Sequence, residues 1–189
     1  MQLQTIVPIK PLENTFDYHS KIVSVGSCFA VNISQRLMQF QFQQSVNPFG
    51  ILFHPVAIAK MINFAVENKT FTNEDVFLHN EIWSCFDAHS DLNELEQEDI
   101  VNALNAKLQQ FRNRLKEASH FILTFGTTWV YKHIESNSYV ANCHKLPQNQ
   151  FTKELLSVAQ CQDAIAAIEK GIRSLNPNIQ MIYTISPVR

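Results

Sequence analysis

Apolar residues along the chain follow two patterns: short, almost continuous runs, and stripes repeating every three or four residues. Lys21-Ile22-Val23-Ser24-Val25 is a run closed by Gly26 and reads as a strand. Phe29, Ile33, Leu37 and Phe40 then recur at helical spacing, which predicts a helix directly after the glycine turn, with that stripe as its apolar face. Strand, tight turn and helix make the first half of a βαβ unit. Asn47-Pro48-Phe49-Gly50 is a turn cluster, and a second helix is predicted from Pro55 to Val66.

From Asn68 to Leu95 no period is sustained, which predicts loops with one or two short strands, including Glu81 to Phe86. Ile100, Leu104, Leu108, Phe111 and Leu115 mark an amphipathic helix with basic residues gathered toward its C-terminal end. His120 to Phe125 is a nearly continuous apolar run ending at Gly126, the pattern of a strand covered on both faces. Trp129 to Ala141 alternates loosely and predicts a hairpin. Ile165, Ile168, Ile172 and Leu175 predict another helix, closed by the turn Asn176-Pro177-Asn178. A last strand from Ile179 to Ile185 precedes Ser186-Pro187-Val188-Arg189.

The order strand, helix, helix, strand, helix, strand has crossovers long enough for parallel pairing. Right-handed crossovers then put helices on both faces of a parallel sheet, so the expected fold class is α/β, a three-layer αβα sandwich. Ligands of such domains bind beyond the carboxyl ends of the strands. Only four residues follow the last predicted strand, so the sheet is expected to be incomplete at the C-terminus. At 189 residues a single domain spanning 1–189 is expected, with no internal repeat or linker.

Composition adds exclusions. Hydrophobic residues are 46% and charged residues 17% of the chain, which suits a folded domain and not a disordered one. The formal net charge is -2, and Lys and Arg gather on no face, so a phosphate-tracking nucleic-acid surface is not expected. No apolar run is long enough to span a membrane, and the first residues lack the apolar segment of a secretory signal, so the expected compartment is the cytoplasm. There Cys28, Cys85, Cys143 and Cys161 stay reduced, and their spacing matches neither a zinc pattern nor a CxxC pair. His79, Glu81 and His89 match no ligand signature either, so neither metal nor cofactor is expected.

The candidate chemistry lies in Val25-Gly26-Ser27-Cys28-Phe29-Ala30. Gly26 permits a tight reversal, and Ser27 and Cys28 then sit at a helix N-terminus, whose unpaired amides and dipole favour an anion. A thiol there ionises more readily than a free one and becomes a nucleophile. The structural alternative is that Ser27 caps the helix and Cys28 is a small buried residue. His144 in Asn142-Cys143-His144-Lys145 is the first internal candidate for a base, against a surface histidine on a hairpin. His89 is second, in a carboxylate–imidazole pair with Asp87. Trp83 and Trp129 are candidates to line an acyl or sugar pocket, against core packing as the first reading. His54, before Pro55, reads as helix-start chemistry.

Gly26-Ser27-Cys28-Phe29-Ala30 resembles the motif that names the GSCFA domain family. The likeness extends through Asn47-Pro48-Phe49-Gly50-Ile51-Leu52, Trp83 with Asp87-Ala88-His89-Ser90, Leu123 to Tyr131, Ala141 to Pro147, and the closing Ser186-Pro187-Val188-Arg189. Through this family the chain is similar to the SGNH (GDSL-like) hydrolases, whose flavodoxin-like sandwich the resemblance implies. Laying Gly26-Ser27-Cys28 over the Gly-Asp-Ser turn of that superfamily makes Cys28 the nucleophile and Ser27 the substitute for aspartate. A shift of one residue makes Ser27 the nucleophile. The resemblance implies that Gly50 supplies an oxyanion N–H together with that of the nucleophile. Gly126-Thr127-Thr128 falls where a Gly-x-Asn turn is expected, with Thr128 in place of asparagine; Asn142, His89 and Trp83 complete the implied substrate-binding set.

The Asp-x-x-His segment of the superfamily has no counterpart in this sequence, so the chain is expected to be the N-terminal part of the family's usual length, with any base supplied elsewhere or by His144. The implied function is an esterase or acyltransferase acting on a small or carbohydrate O-acyl ester. The alternatives are a non-catalytic carbohydrate- or acyl-binding module, or an inactive truncated chain. The implied partner is a small-molecule ester or carbohydrate, with neither nucleic acid nor membrane, and a homo-oligomer through an exposed sheet edge is the further expectation.

Overall fold

The computed structural model describes residues 15–184; the predicted strand's last residue, Ile185, and the Ser186 to Arg189 segment lie outside the described residues. In chain order the elements are β1 (Lys21–Gly26), α1 (Cys28–Gln39), β2 (Gln43–Val46), α2 (Pro55–Glu67), β3 (Phe77–His79), β4 (Ile82–Ser84) and α3 (Gln97–Glu117). They continue with β5 (His120–Thr124), β6 (Trp129–His133), β7 (Ser138–Val140), β8 (Phe151–Leu155), α4 (Val158–Leu175) and β9 (Gln180–Thr184).

The main sheet has four parallel strands in the order β2-β1-β5-β9. Side chains alternate across it. Val23, Val25, Phe121 and Leu123 point to one face, where they join Ile58, Met61 and Ile62 of α2, Ile100, Leu104 and Phe111 of α3, and Ile168 and Ile172 of α4 in one buried cluster. Ile22, Ser24, Ile122 and Thr124 point to the other face, on which α1 lies in contact with β1, β2 and β5. This is the three-layer α/β arrangement expected from the order of elements. Burying Phe49, Phe111 or Phe121 contributes about 1.5–3 kcal/mol each.

Two elements of the main sheet and its cover differ from the sequence expectation. β2, Gln-Gln-Ser-Val, is a short polar edge strand that no hydrophobic pattern marks. In α1 the buried residues are Ala30 and Ser34, while Phe29 and Phe40 of the predicted apolar stripe are exposed. Small residues let the helix lie close to the sheet, and that close approach, not the large apolar stripe, sets its rotation.

Helices α2 and α4 begin at caps that their sequences supply. His54 is the N-cap of α2: its Nδ1 accepts the Ala57 N–H at 3.1 Å, so its Nε2 carries the proton and donates to the Val140 carbonyl at 3.1 Å. Ser157 and Gln160 form a capping box at α4. At the far end of α4, Asn176 donates its side-chain amide to the carbonyls of Leu115 and Ala118 and so fixes that helix to the end of α3.

The predicted hairpin forms as β6 and β7, joined by an unpredicted third strand, β8, in the antiparallel order β7-β6-β8. The segment predicted as a strand from Glu81 forms a smaller hairpin, β3 with β4. Phe86 binds the two together, with ring centroids 4.3 Å from Phe77 and 4.7 Å from His133. Among the described residues no helix is long and apolar enough to cross a membrane.

Candidate active site at the carboxyl ends of β1 and β5

From β1 the chain crosses to β2 on one side, and later returns to β5 and β9 on the other. The strand order therefore reverses between β1 and β5, and an open α/β sheet has its binding crevice at that point, beyond the strand ends. The turn after β1 is Gly26-Ser27-Cys28, and the turn after β5 is Gly126-Thr127-Thr128. The loop after β2, Asn47 to Gly50, completes the rim.

Gly26 sits at φ +138°, and a Cβ there would lie 1.8 Å from the Thr124 carbonyl oxygen, so only glycine fits. Its N–H donates to Asn47 Oδ1 at 2.8 Å. The Ser27 N–H donates to the Thr124 carbonyl at 3.0 Å. The reversal is thus tied to β5 on one side and to the loop after β2 on the other.

Both halves of the purely structural alternative fail here. Ser27 occupies the N-cap position of α1, but its buried hydroxyl makes no cap hydrogen bond; the turn is closed by Ala30 N–H on the Ser27 carbonyl at 2.9 Å. Cys28 is exposed, at the first position of α1. An amide at that position has no acceptor within the helix, whereas that of Ser27 is already committed to Thr124.

The opposite rim is close. A Cβ on Gly126 would lie 3.2 Å from Ser27 Cβ and 2.9 Å from the Phe53 ring. The amides of Gly126 and Thr127 both donate to the Phe53 carbonyl, at 2.8 and 3.1 Å. The Gly50 N–H donates to the Asn47 carbonyl at 2.9 Å, so the oxyanion donor implied at Gly50 is engaged within its own turn in this conformation. Thr128 is exposed, and its carbonyl accepts from the Leu156 N–H.

The histidines take other partners. His89 packs on Gly50, where an added Cβ would lie 2.2 Å from the His89 Cβ, and its amide donates to the Phe49 carbonyl. Its Nδ1 accepts the Asp91 N–H at 3.3 Å, capping the short turn Ser90–Leu92, while Asp87 pairs with Lys60 at 2.6 Å. The expected Asp87–His89 pair does not form, because Asp87 turns toward Lys60 of α2. His144 is buried: its amide donates to Asn142 Oδ1, its Nε2 lies 2.7 Å from the Cys85 carbonyl, and its Nδ1 has no hydrogen-bond partner among the described residues. Burial lowers its pKa, against the pull of the Cys85 and Ala88 carbonyls. Among the described residues no hydrogen bond joins His89 or His144 to the Gly26-Ser27-Cys28 turn. Trp83 packs against the core from β4, and Trp129 is partly exposed three residues beyond Gly126.

The cysteines differ in kind. Burial pushes the Cys85 thiol up to about 12, and burial also raises that of Cys143. Among the described residues no group of three His, Cys, Asp or Glu is arranged to hold a metal ion. Sequence reading missed the parts that aim the turn: the Asn47 side chain and the carbonyls of Thr124 and Phe53. Asn47 was visible only as a turn residue, and backbone carbonyls leave no sequence signal.

A four-stranded parallel sheet with helices on both faces and an exposed cysteine at its switch point defines an α/β domain with a candidate nucleophile site. The model of the GSCFA family matches residues 21–189, and the chain belongs to that family. Comparison with curated proteins and with solved structures gives no match.

Proposed function

We propose that this GSCFA-family protein is an esterase or acyltransferase of the SGNH-like type, acting on a small or carbohydrate O-acyl ester through Cys28. The observation that carries the reading is the division of labour in the turn. The Ser27 amide is committed to Thr124, while Cys28 combines an exposed thiol with a first-turn amide that lacks a helical acceptor. A nucleophile whose own N–H must hold the developing oxyanion needs that second arrangement.

In the proposed step the Cys28 thiol loses its proton to water, and the thiolate sulfur attacks the ester carbonyl. The new C–S bond forms as the carbonyl oxygen takes up negative charge beside the Cys28 amide. Collapse breaks the ester C–O bond, the alcohol leaves with a proton from water, and a Cys28 thioester remains. Water or an acceptor hydroxyl then takes the acyl group. His144 stays outside this step, its Nε2 held against the Cys85 carbonyl.

The test is incubation with 4-nitrophenyl acetate followed by peptide mapping. An acetyl group on Cys28, retained in Ser27→Ala and lost in Cys28→Ala together with turnover, is the expected result. Acetylation of Ser27 instead would move the nucleophile by one residue. Unchanged turnover in the variant that combines Ser27→Ala with Cys28→Ala would overturn the reading.

A second reading has its own observation: the Gly50 and Gly126 amides are both engaged internally, which leaves few donors for an oxyanion. On that reading the crevice only binds an acylated carbohydrate. Saturable binding of an acetylated oligosaccharide by calorimetry, with no acetate released, would favour it.

A further inference from the structure

Among the described residues around the crevice, one buried donor is left over. Asn47 follows β2 with a left-handed backbone, φ 41°. Its amide donates to the Ser24 carbonyl at 3.0 Å, and its carbonyl accepts the Gly50 N–H at 2.9 Å. Its side-chain Oδ1 accepts the Gly26 N–H at 2.8 Å. One residue therefore links β1, the loop after β2 and the turn that carries Cys28. The other end of the same carboxamide, Nδ2, is buried and has no acceptor among the described residues.

An unpaired buried donor of this kind is costly to fold, and each one in a native structure calls for an explanation. The Oδ1 bond holds this carboxamide against Gly26, so its free N–H dipole lies close to the turn. A carboxamide suits this place because it accepts from Gly26 and leaves a donor in excess. A carboxylate of the same shape would accept and add a negative charge.

We propose that Asn47 is a positioning residue for Cys28: its oxygen fixes the turn, and its unpaired amide favours negative charge developing there. This rests on reading Cys28 as the nucleophile. It predicts that Cys28 reactivity responds to the chemistry at position 47 and not only to whether the fold is intact.

The experiment measures the iodoacetamide alkylation rate of Cys28 against pH, by peptide mapping of the purified protein. The variants are Asn47→Asp and Asn47→Ala, each with its thermal midpoint. Asn47→Asp keeps the acceptor for Gly26, so its midpoint should stay near that of the parent. Its Cys28 alkylation at pH 7 should slow about tenfold, the profile moving up by roughly one pH unit. Asn47→Ala should slow alkylation as well and lower the thermal midpoint. A Cys28 profile in Asn47→Asp like that of the parent overturns the proposal, and this variant decides the matter if Asn47→Ala fails to fold. Failure of the functional reading looks different: no acetyl group appears on Cys28 in any variant, while alkylation still depends on residue 47.

Discussion

The Ser27 amide donates to the Thr124 carbonyl across the seam between β1 and β5, and Gly26 leaves no room for a side chain against that same oxygen. One carbonyl at the end of β5 thus shapes the turn after β1. It occupies the Ser27 amide, so the next residue, Cys28, begins the helix with its thiol outward. The nucleophile reading depends on this pair more than on any other contact.

Gly26→Ala tests it directly. The added methyl would sit 1.8 Å from the Thr124 oxygen at a backbone angle that disfavours side chains, so the seam must open. A loss of about 3 kcal/mol or more is expected in urea unfolding. A variant of parental stability would mean that the turn is not held against β5 in this way.

Gly50 makes a similar demand on His89. A Cβ on Gly50, at φ +73°, would lie 2.2 Å from the His89 Cβ, so Gly50→Ala should cost about 2 kcal/mol. His89→Gly removes the colliding group and should recover part of that loss in the double variant, leaving the backbone strain. A strictly additive double-mutant cycle would contradict the contact.

Cysteine reactivity should separate by environment. Cys28 is exposed, and Cys85 is buried with its thiol pushed up to about 12. In the native protein at pH 7.5, Cys28 should label first and Cys85 only on unfolding. Equal labelling of both in the folded protein would refute the assignment.

Acid should destabilise the fold through its buried histidines. Burial lowers the pKa of His54, His120 and His144 below the ordinary histidine range. The unfolded chain then binds more protons than the folded one. The stability that neutral histidines contribute is complete above the unfolded value and is lost as pH falls below it, toward their folded values. The thermal midpoint should therefore drop between pH 7.5 and 5.5. Protonated His54 cannot accept the Ala57 N–H that caps α2. His54→Asn keeps a capping oxygen without the titration, so it should be less stable at pH 7.5 but less sensitive to acid; an unchanged slope would clear His54 of the effect.

The core side of the fold was legible because its signals are local and strong. The runs around Val23–Val25 and Phe121–Leu123 are continuous, since both faces of a central parallel strand are covered. The stripe of Ile100, Leu104, Leu108, Phe111 and Leu115 on α3 is buried throughout. β2 and β8 escaped because Gln-Gln-Ser-Val and Phe-Thr-Lys-Glu-Leu have mixed polarity and are held by neighbours distant in sequence. α1 misled by its aromatic residues, because the sheet accepts Ala30 and Ser34 at close range and leaves Phe29 and Phe40 outside.

The sequence by itself determined that a glycine turn with Ser27 and Cys28 joins a strand to a helix in an α/β domain, since backbone freedom and apolar periodicity are properties of neighbouring residues. Only the tertiary structure decided that the Ser27 amide is committed to Thr124 while the Cys28 side chain is exposed, and that Asn47 stands against Gly26 while Asp87 turns to Lys60. Those choices rest on hydrogen bonds between residues twenty or more positions apart, whose geometry exists only once β1, β2 and β5 lie side by side.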